Sequence, residues 1–118
     1  MHRQLLIEGR WVDAAAGETI DVIDPCTAEP FCTIARGRAE DVDRAVQAAQ
    51  RALDGPWGRM TATERGRILQ RLAQLIIAHG DELAQLEARD TGKPMAVARA
   101  DAAAVARYFE FYGGAADK

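Results

Sequence analysis

The first third of the chain alternates apolar and polar residues with a period of two, which is typical of β-strands. Residues 5–12, "LLIEGRWV", and residues 19–23, "TIDVI", predict two strands of a hairpin joined by a glycine-containing turn. A third strand is predicted at residues 31–36, "FCTIAR", after a loop that Pro25 and Pro30 bracket. We therefore expect one small antiparallel sheet of three short strands.

From about residue 39 the apolar positions recur three and four residues apart, which predicts helices. We expect four helical segments: about 39–54, ending at Gly55-Pro56; from the capping box Thr61–Glu64 to Gly80; a shorter one capped by Asp81; and a last one over about 95–112, before "GGAADK". Residues 57–60, "WGRM", are expected to be a connector. Strands grouped at the front and helices grouped behind them predict an α+β fold.

The last predicted helix carries more aromatic residues than one face can bury. Its four aromatic positions cannot share a single stripe: Tyr108, Phe109, Phe111 and Tyr112. Either the edge of this domain is unusually aromatic, or an apolar partner outside this helical layer packs against some of these side chains.

Composition indicates an ordinary soluble protein, with 118 residues, 48 % apolar and 28 % charged, which favours one domain. The net charge is −3, and acidic and basic residues are interleaved along the chain. We therefore expect neither nucleic acid nor a membrane as a partner. No apolar segment resembles a secretory signal or a membrane span, and a cytoplasmic location is expected. Cys26 and Cys32 lack C-x-x-C spacing and are expected to be buried structural thiols.

The segment "LEARDTGKP" contains two apparent catalytic signatures. A phosphate-binding loop would need glycine at position 87 and Ser or Thr at position 94, which are Glu87 and Pro94. Lys93 is therefore expected to be solvated. Asp90-Thr91-Gly92 matches a dimeric aspartic protease, but that fold is all β and helix-forming residues precede the tripeptide here. The protease stays a disfavoured alternative.

Other catalytic constellations are missing from the sequence. His2 and His79 are isolated, and Glu64, Glu82 and Glu87 fit solvated helix faces better than an acid/base pair. No Gly-x-Gly-x-x-Gly follows a strand. We therefore predict no catalytic and no cofactor-binding residue within this chain.

Asp90 is the one residue whose position needs an explanation. It ends a predicted helix, where the exposed carbonyl oxygens disfavour a carboxylate by a few tenths to about 1 kcal/mol. Its side chain either points to solvent or a loop amide, or it shares a hard cation with those oxygens.

Three blocks in fixed order give the chain a family resemblance: "EGRWVDAAAGETIDVIDP", "MTATERGRIL" and "LEARDTGKP". From about Leu5 to Lys118 the chain resembles the N-terminal part of an NAD(P)-dependent aldehyde dehydrogenase. The resemblance implies that residues 1–118 are the N-terminal portion of a Rossmann-like cofactor domain, with strands over about 5–36 and helices over about 39–118. The family's nucleophilic cysteine and general-base glutamate would come later, and Cys26 and Cys32 match neither.

For the complete enzyme the resemblance implies oxidation of a small-molecule aldehyde to a carboxylic acid with NAD or NADP, through a cysteine thioester. It also implies a homo-oligomer, a dimer or tetramer. A potassium or sodium ion is expected on the backbone oxygens of Val22 and Ile23 and on Asp90, since "VIDP" and "DTGKP" match the family's cation segment. The alternative is a non-enzymatic helical interaction module descended from that family.

Overall fold

The structure, a computed structural model, describes residues 3–118, which form two compact units. The hairpin unit comprises the residues up to 23 together with 28–59, and the helical unit comprises 24–27 together with 60–118. His2, which the sequence leaves without a catalytic partner, lies outside the described residues. Strands come first and helices follow, so the predicted α+β class is confirmed. The assignment of the whole chain to one cofactor domain stays a prediction.

The hairpin unit begins with a tight hairpin. Strand β1 (Leu5–Ile7) pairs antiparallel with β2 (Arg10–Val12). Glu8 and Gly9 form the turn between them with φ of 55° and 72°, and two-residue hairpin turns with both φ values positive match the twist of the strands. The prediction of one strand over 5–12 is therefore wrong, because Glu-Gly is a less recognisable turn signal than Asn-Gly.

Two further strands form a separate sheet. Strand β3 (Thr19–Asp24) is hydrogen-bonded to β4 (Glu29–Ala35), and neither joins the first hairpin's sheet. The expected single sheet of three strands is therefore wrong, since the described residues form two sheets of two strands each. Pro30 lies at the start of β4, where a residue without an N–H is tolerated.

Two helices complete the hairpin unit. Helix α1 (Ala39–Asp54) ends at Gly55, as predicted, and the expected connector instead holds a one-turn helix, α2 (Pro56–Arg59). Gly58 makes this close reversal possible, because a Cβ at that position would lie 1.6 Å from the carbonyl oxygen of Leu53.

Asp41 fixes the start of α1. Its carboxylate is buried and accepts the backbone N–H groups of Arg38 and Ala15, both at 3.0 Å. The hydrogen bond from Arg38, then that from Ala15, lowers the pKa of Asp41 below its ordinary value. One side chain therefore satisfies an amide at the helix start and anchors the preceding loop to α1.

We expect Asp41→Ala to lower the melting temperature by roughly 5 °C or more at neutral pH, because two backbone N–H groups lose their acceptor. Since the folded pKa of Asp41 is depressed, its stabilisation is present above the unfolded value of 3.8 and is lost as pH falls through the folded pKa. The difference in melting temperature between wild type and Asp41→Ala should therefore disappear at acidic pH. Asp43→Ala, on the exposed side of α1, is the control, and an equal loss there would contradict the assignment.

The helical unit contains three long helices: α3 (Ala62–Ala78), α4 (Gly80–Thr91) and α5 (Met95–Ala115). The predicted capping box is confirmed, since Thr61 Oγ1 accepts the N–H of Glu64 and the Glu64 carboxylate accepts the N–H of Thr61 at 2.7 Å. His79 ends α3 as expected, but it is also the cap residue of α4. The expected cap, Asp81, lies instead in the first turn of α4.

Helix α5 continues through Gly113 and Gly114, so its predicted end near residue 112 is wrong. The reason is a close crossing with α3. A Cβ on Gly66 would lie 2.5 Å from the carbonyl oxygen of Gly113, and both glycines are buried. Packing at backbone distance thus outweighs the low helix propensity of the glycine pair.

The buried apolar residues of both units are alanines: Ala14, Ala73, Ala84, Ala98 and Ala106. Among residues 3–118 no large side chain is fully buried. Tyr108, Phe111 and Tyr112 are each more than 60 % exposed, as the surplus of aromatic residues on α5 predicted. Among residues 3–118, none of the helices combines the length and the apolar character that a membrane span requires.

Candidate functional site

The junction between α4 and α5 holds the residues that the sequence singled out. Gly92 ends α4 in the left-handed region, with φ of 71°, and donates its N–H to the carbonyl oxygen of Ala88 at 2.9 Å. The hydroxyl of Thr91 donates to the carbonyl oxygen of Glu87 at 2.7 Å. Two of the carbonyl oxygens near the helix end are therefore already hydrogen-bonded. A side chain at position 92 would also approach Pro25 to 3.0 Å.

Lys93 links the two helices. Its ammonium donates to Glu87 Oε1 at 2.7 Å and to Asp101 Oδ2 at 2.6 Å, and its side chain is only 29 % exposed. These hydrogen bonds, with Asp101 contributing more than Glu87, raise the pKa of Lys93. The expectation that Lys93 is solvated is wrong, because the contact to Asp101 depends on the turn between α4 and α5, which no local pattern shows. Glu87 keeps 45 % of its side chain exposed on its helix face.

This environment argues against two catalytic roles for the junction. An ammonium held by two carboxylates has little charge left for a phosphate, and its raised pKa keeps it protonated rather than basic. Asp90 and Thr91 belong to the last turn of α4, and the Thr91 hydroxyl is bound to its own helix. A helix end of this kind argues against the dimeric aspartic protease, whose tripeptide follows a strand.

Asp90 has an exposed carboxylate in the last turn of α4. Within the described part of the chain, no basic side chain forms an ion pair with it, while its neighbour Arg89 reaches Asp24 at 3.8 Å. Val22 is half-buried and Ile23 is exposed, and both belong to the hairpin unit, whereas Asp90 belongs to the helical unit. The cation assignment to these three residues stays a prediction.

Residues 3–118 hold no group of three or more His, Cys, Asp and Glu side chains that could bind a metal ion. A site built on backbone carbonyl oxygens would need only one such side chain. The predicted monovalent cation would occupy a site built mainly on backbone carbonyl oxygens.

Neither cysteine has the surroundings of a nucleophile. Cys32 is half-buried and Cys26 is exposed, so the expectation that both are buried is wrong for Cys26 and is met only in part for Cys32. Cys26 instead continues a turn in which its N–H donates to Asp24 Oδ1 at 2.9 Å. Among the described residues no base is hydrogen-bonded to either thiol, and an activated thiolate needs such a partner or a cationic neighbour. His79 faces Glu82 at 3.3 Å on an exposed helix start.

Among residues 3–118 one connection leads from a strand to a long helix, and it does not fit the phosphates of a dinucleotide. Between β4 and α1 stands Arg36-Gly37-Arg38, with a single glycine. The N–H of Arg38, directly before α1, is already bound to the Asp41 carboxylate, and the negative charge of that carboxylate would oppose a pyrophosphate at this helix start. Among the described residues, this connection therefore lacks the features of a dinucleotide-binding turn.

Comparisons with a family model, with curated proteins and with solved structures all find aldehyde dehydrogenases. The model of the aldehyde dehydrogenase family matches residues 11–118. Aldehyde dehydrogenase family 2 member B4, mitochondrial, from Arabidopsis thaliana is 49 % identical over 119 residues, which cover 99 % of this chain and 22 % of the relative. Betaine aldehyde dehydrogenase from Bacillus subtilis is 39 % identical over 119 residues, covering 100 % of this chain and 24 % of the relative.

Among solved structures, a point mutant of betaine aldehyde dehydrogenase from Staphylococcus aureus in complex with NAD+ superposes with a TM-score of 0.96 at 37 % identity. The superposition covers 99 % of this chain and 24 % of that one. The chain thus spans about a quarter of the length of the proteins that it matches.

Proposed function

Because this chain belongs to the aldehyde dehydrogenase family, we propose that its protein oxidises a small-molecule aldehyde to a carboxylic acid with NAD+ or NADP+. The observation that supports this most is 49 % identity to an Arabidopsis thaliana aldehyde dehydrogenase across 99 % of the chain. The bound NAD+ of a similar solved protein favours a nicotinamide cofactor, which would accept hydride from the substrate.

In this proposal residues 1–118 act as a scaffold. Among the described residues no base is bound to either thiol, Lys93 pairs with two carboxylates, and the Asp41 carboxylate lies at the start of α1. We assign the nucleophilic cysteine, which would form the thioester, to sequence that aligns with the other three quarters of the relatives. Water would then hydrolyse that thioester to the acid.

The test is aldehyde-dependent reduction of each cofactor by the intact protein. Short aliphatic and aromatic aldehydes are supplied with NAD+ or with NADP+, and the reduced nicotinamide is followed by its absorbance. We expect turnover with at least one pair. A folded protein that reduces neither cofactor with any aldehyde would instead support the non-enzymatic helical interaction module.

Two properties of the intact protein belong to the same proposal. We infer a homo-oligomer, dimer or tetramer, since the large apolar side chains of α5 need cover, and sedimentation at several concentrations measures its mass. We also propose a cytoplasmic location, although the Arabidopsis thaliana relative is mitochondrial by name. Cell fractionation distinguishes these compartments.

We further propose that Asp90, with the backbone oxygens of Val22 and Ile23, holds a potassium or sodium ion in the intact protein. An exposed carboxylate in the last turn of α4 faces the negative end of a helix dipole, and a bound cation would remove that repulsion. Its contribution to stability follows mass action, about RT ln(1 + [ion]/Kd).

Asp90→Asn keeps the size of the side chain and removes its charge. We expect the intact wild-type protein to melt higher in potassium or sodium than in tetramethylammonium at equal ionic strength, and Asp90→Asn to lose that preference without losing turnover. Asp43→Asn, an exposed aspartate on α1, is the matched control. Equal melting of wild type in all three salts, or an unchanged preference in Asp90→Asn, would contradict the cation site.

A further inference from the structure

A small pocket lies in the hairpin unit between the first hairpin and α1. Its volume is about 220 Å³, and its lining combines two aliphatic side chains, one amide, three guanidinium groups and one carboxylate. The lining residues are Ile7, Glu8, Arg10, Val12, Arg44, Gln47 and Arg51. Nothing in the proposed oxidation uses this pocket.

The register of the strands explains how these residues meet. Ile7 lies opposite Arg10, and Val12 lies two residues further along the same strand, so all three side chains share one face of the hairpin. On α1, Arg44, Gln47 and Arg51 are three and four residues apart and therefore share one face of the helix. The pocket is bounded by these two faces.

The charge of the pocket is positive. Three guanidinium groups stand against the single carboxylate of Glu8 in the lining, and one of the three, Arg44, also pairs with Asp41 outside the lining. Arg51 holds Glu8 at 3.2 and 3.3 Å. Arg44 reaches Asp41 only at 3.4 Å, and that carboxylate already accepts two backbone N–H groups. Among residues 3–118 no carboxylate forms an ion pair with Arg10.

We propose that this pocket binds a small phosphate monoester. A phosphate monoester carries close to two negative charges at neutral pH, which would meet the excess of positive charge in the lining. The guanidinium groups of Arg10 and Arg44 each present a planar pair of N–H donors, the geometry that suits phosphate oxygens. Ile7 and Val12 offer an apolar wall to the organic group of the ester.

The intact protein is titrated calorimetrically with n-butyl phosphate, inorganic phosphate and butyrate, at constant ionic strength in chloride. We expect saturable binding, strongest for butyl phosphate, weaker for inorganic phosphate and weakest for butyrate. Arg10→Gln and Arg44→Gln should each weaken butyl phosphate binding by roughly tenfold. Arg107→Gln, an exposed arginine that pairs with Glu110 on α5, should leave it unchanged.

Unchanged circular dichroism and melting temperature in chloride show that the variants are folded. Absence of saturable binding to the folded wild type would overturn the site, as would equal weakening by Arg107→Gln. Binding of inorganic phosphate as tight as that of butyl phosphate would overturn the assignment to a monoester, since Ile7 and Val12 would then contribute nothing.

Discussion

Gly113→Ala should lower the melting temperature clearly, whereas Gly114→Ala, one residue further along the same helix, should leave it unchanged or raise it. A Cβ at position 113 would lie 2.9 Å from the carbonyl oxygen of Gly66 and 2.9 Å from Cγ of Gln70. Since the first of these atoms belongs to the backbone of α3, the two helices must separate to admit it. Overpacking of this kind costs about 1–3 kcal/mol.

The same replacement at Gly114 meets no atom within 4 Å and gains helix propensity. Gly66→Ala tests the crossing from the other helix and should be at least as destabilising as Gly113→Ala, because its Cβ would come within 2.5 Å of a carbonyl oxygen. Thermal unfolding of the three variants tests whether α3 and α5 cross at backbone contact. Equal melting temperatures for the two C-terminal glycine variants would show that α3 and α5 do not cross at backbone contact.

Lys93→Met should lower the melting temperature by several degrees at neutral pH. The replacement keeps most of the length of the side chain, but it removes both ion pairs and leaves the half-buried carboxylates of Glu87 and Asp101 facing a neutral group. Because both carboxylates remain partly exposed, the loss is smaller than for a buried network. Lys118→Met, at an ammonium that is 77 % exposed, should change little.

The pH dependence of this effect has a definite sign. Lys93 has a folded pKa above its ordinary value of 10.5, so its contribution is fully present below about pH 10.5 and is lost as pH rises through the folded pKa. The melting difference between wild type and Lys93→Met should therefore be constant through neutral pH and shrink only in strong alkali. A difference that already vanishes near pH 8 would exclude the ammonium as its cause.

The long helices could be predicted because their signals are local. The stripe of α1, the stop at Gly55 and the capping box at Thr61 all depend on residues within one or two turns. The turns and the helix ends were harder to predict from the sequence. The first hairpin closes on Glu8 and Gly9 without a recognisable dipeptide, and α5 passes through a glycine pair because α3 packs against it.

In the candidate site, too, the features with local signals could be predicted from the sequence, and those that depend on tertiary contacts could not. The resemblance of "DTGKP" to a known family pointed to Asp90, and the structure gives that residue an exposed helix-end position. The sequence missed the ion pairs of Lys93 because Asp101 lies eight residues away, across a turn between two helices. It also missed the arginine pocket, since Arg10 and Arg44 are far apart in the chain and meet only through the tertiary fold.

The central proposal is that this chain is a scaffold of an aldehyde-oxidising enzyme and supplies none of its reacting groups. The most direct measurement is kcat and KM of the intact protein with its best aldehyde and cofactor, for wild type, Cys26→Ser, Cys32→Ser and the double variant. We expect all three variants to keep kcat within about twofold, because neither thiol has a base or a cationic partner. A folded variant whose kcat falls a thousandfold would contradict the proposal and make that thiol the nucleophile.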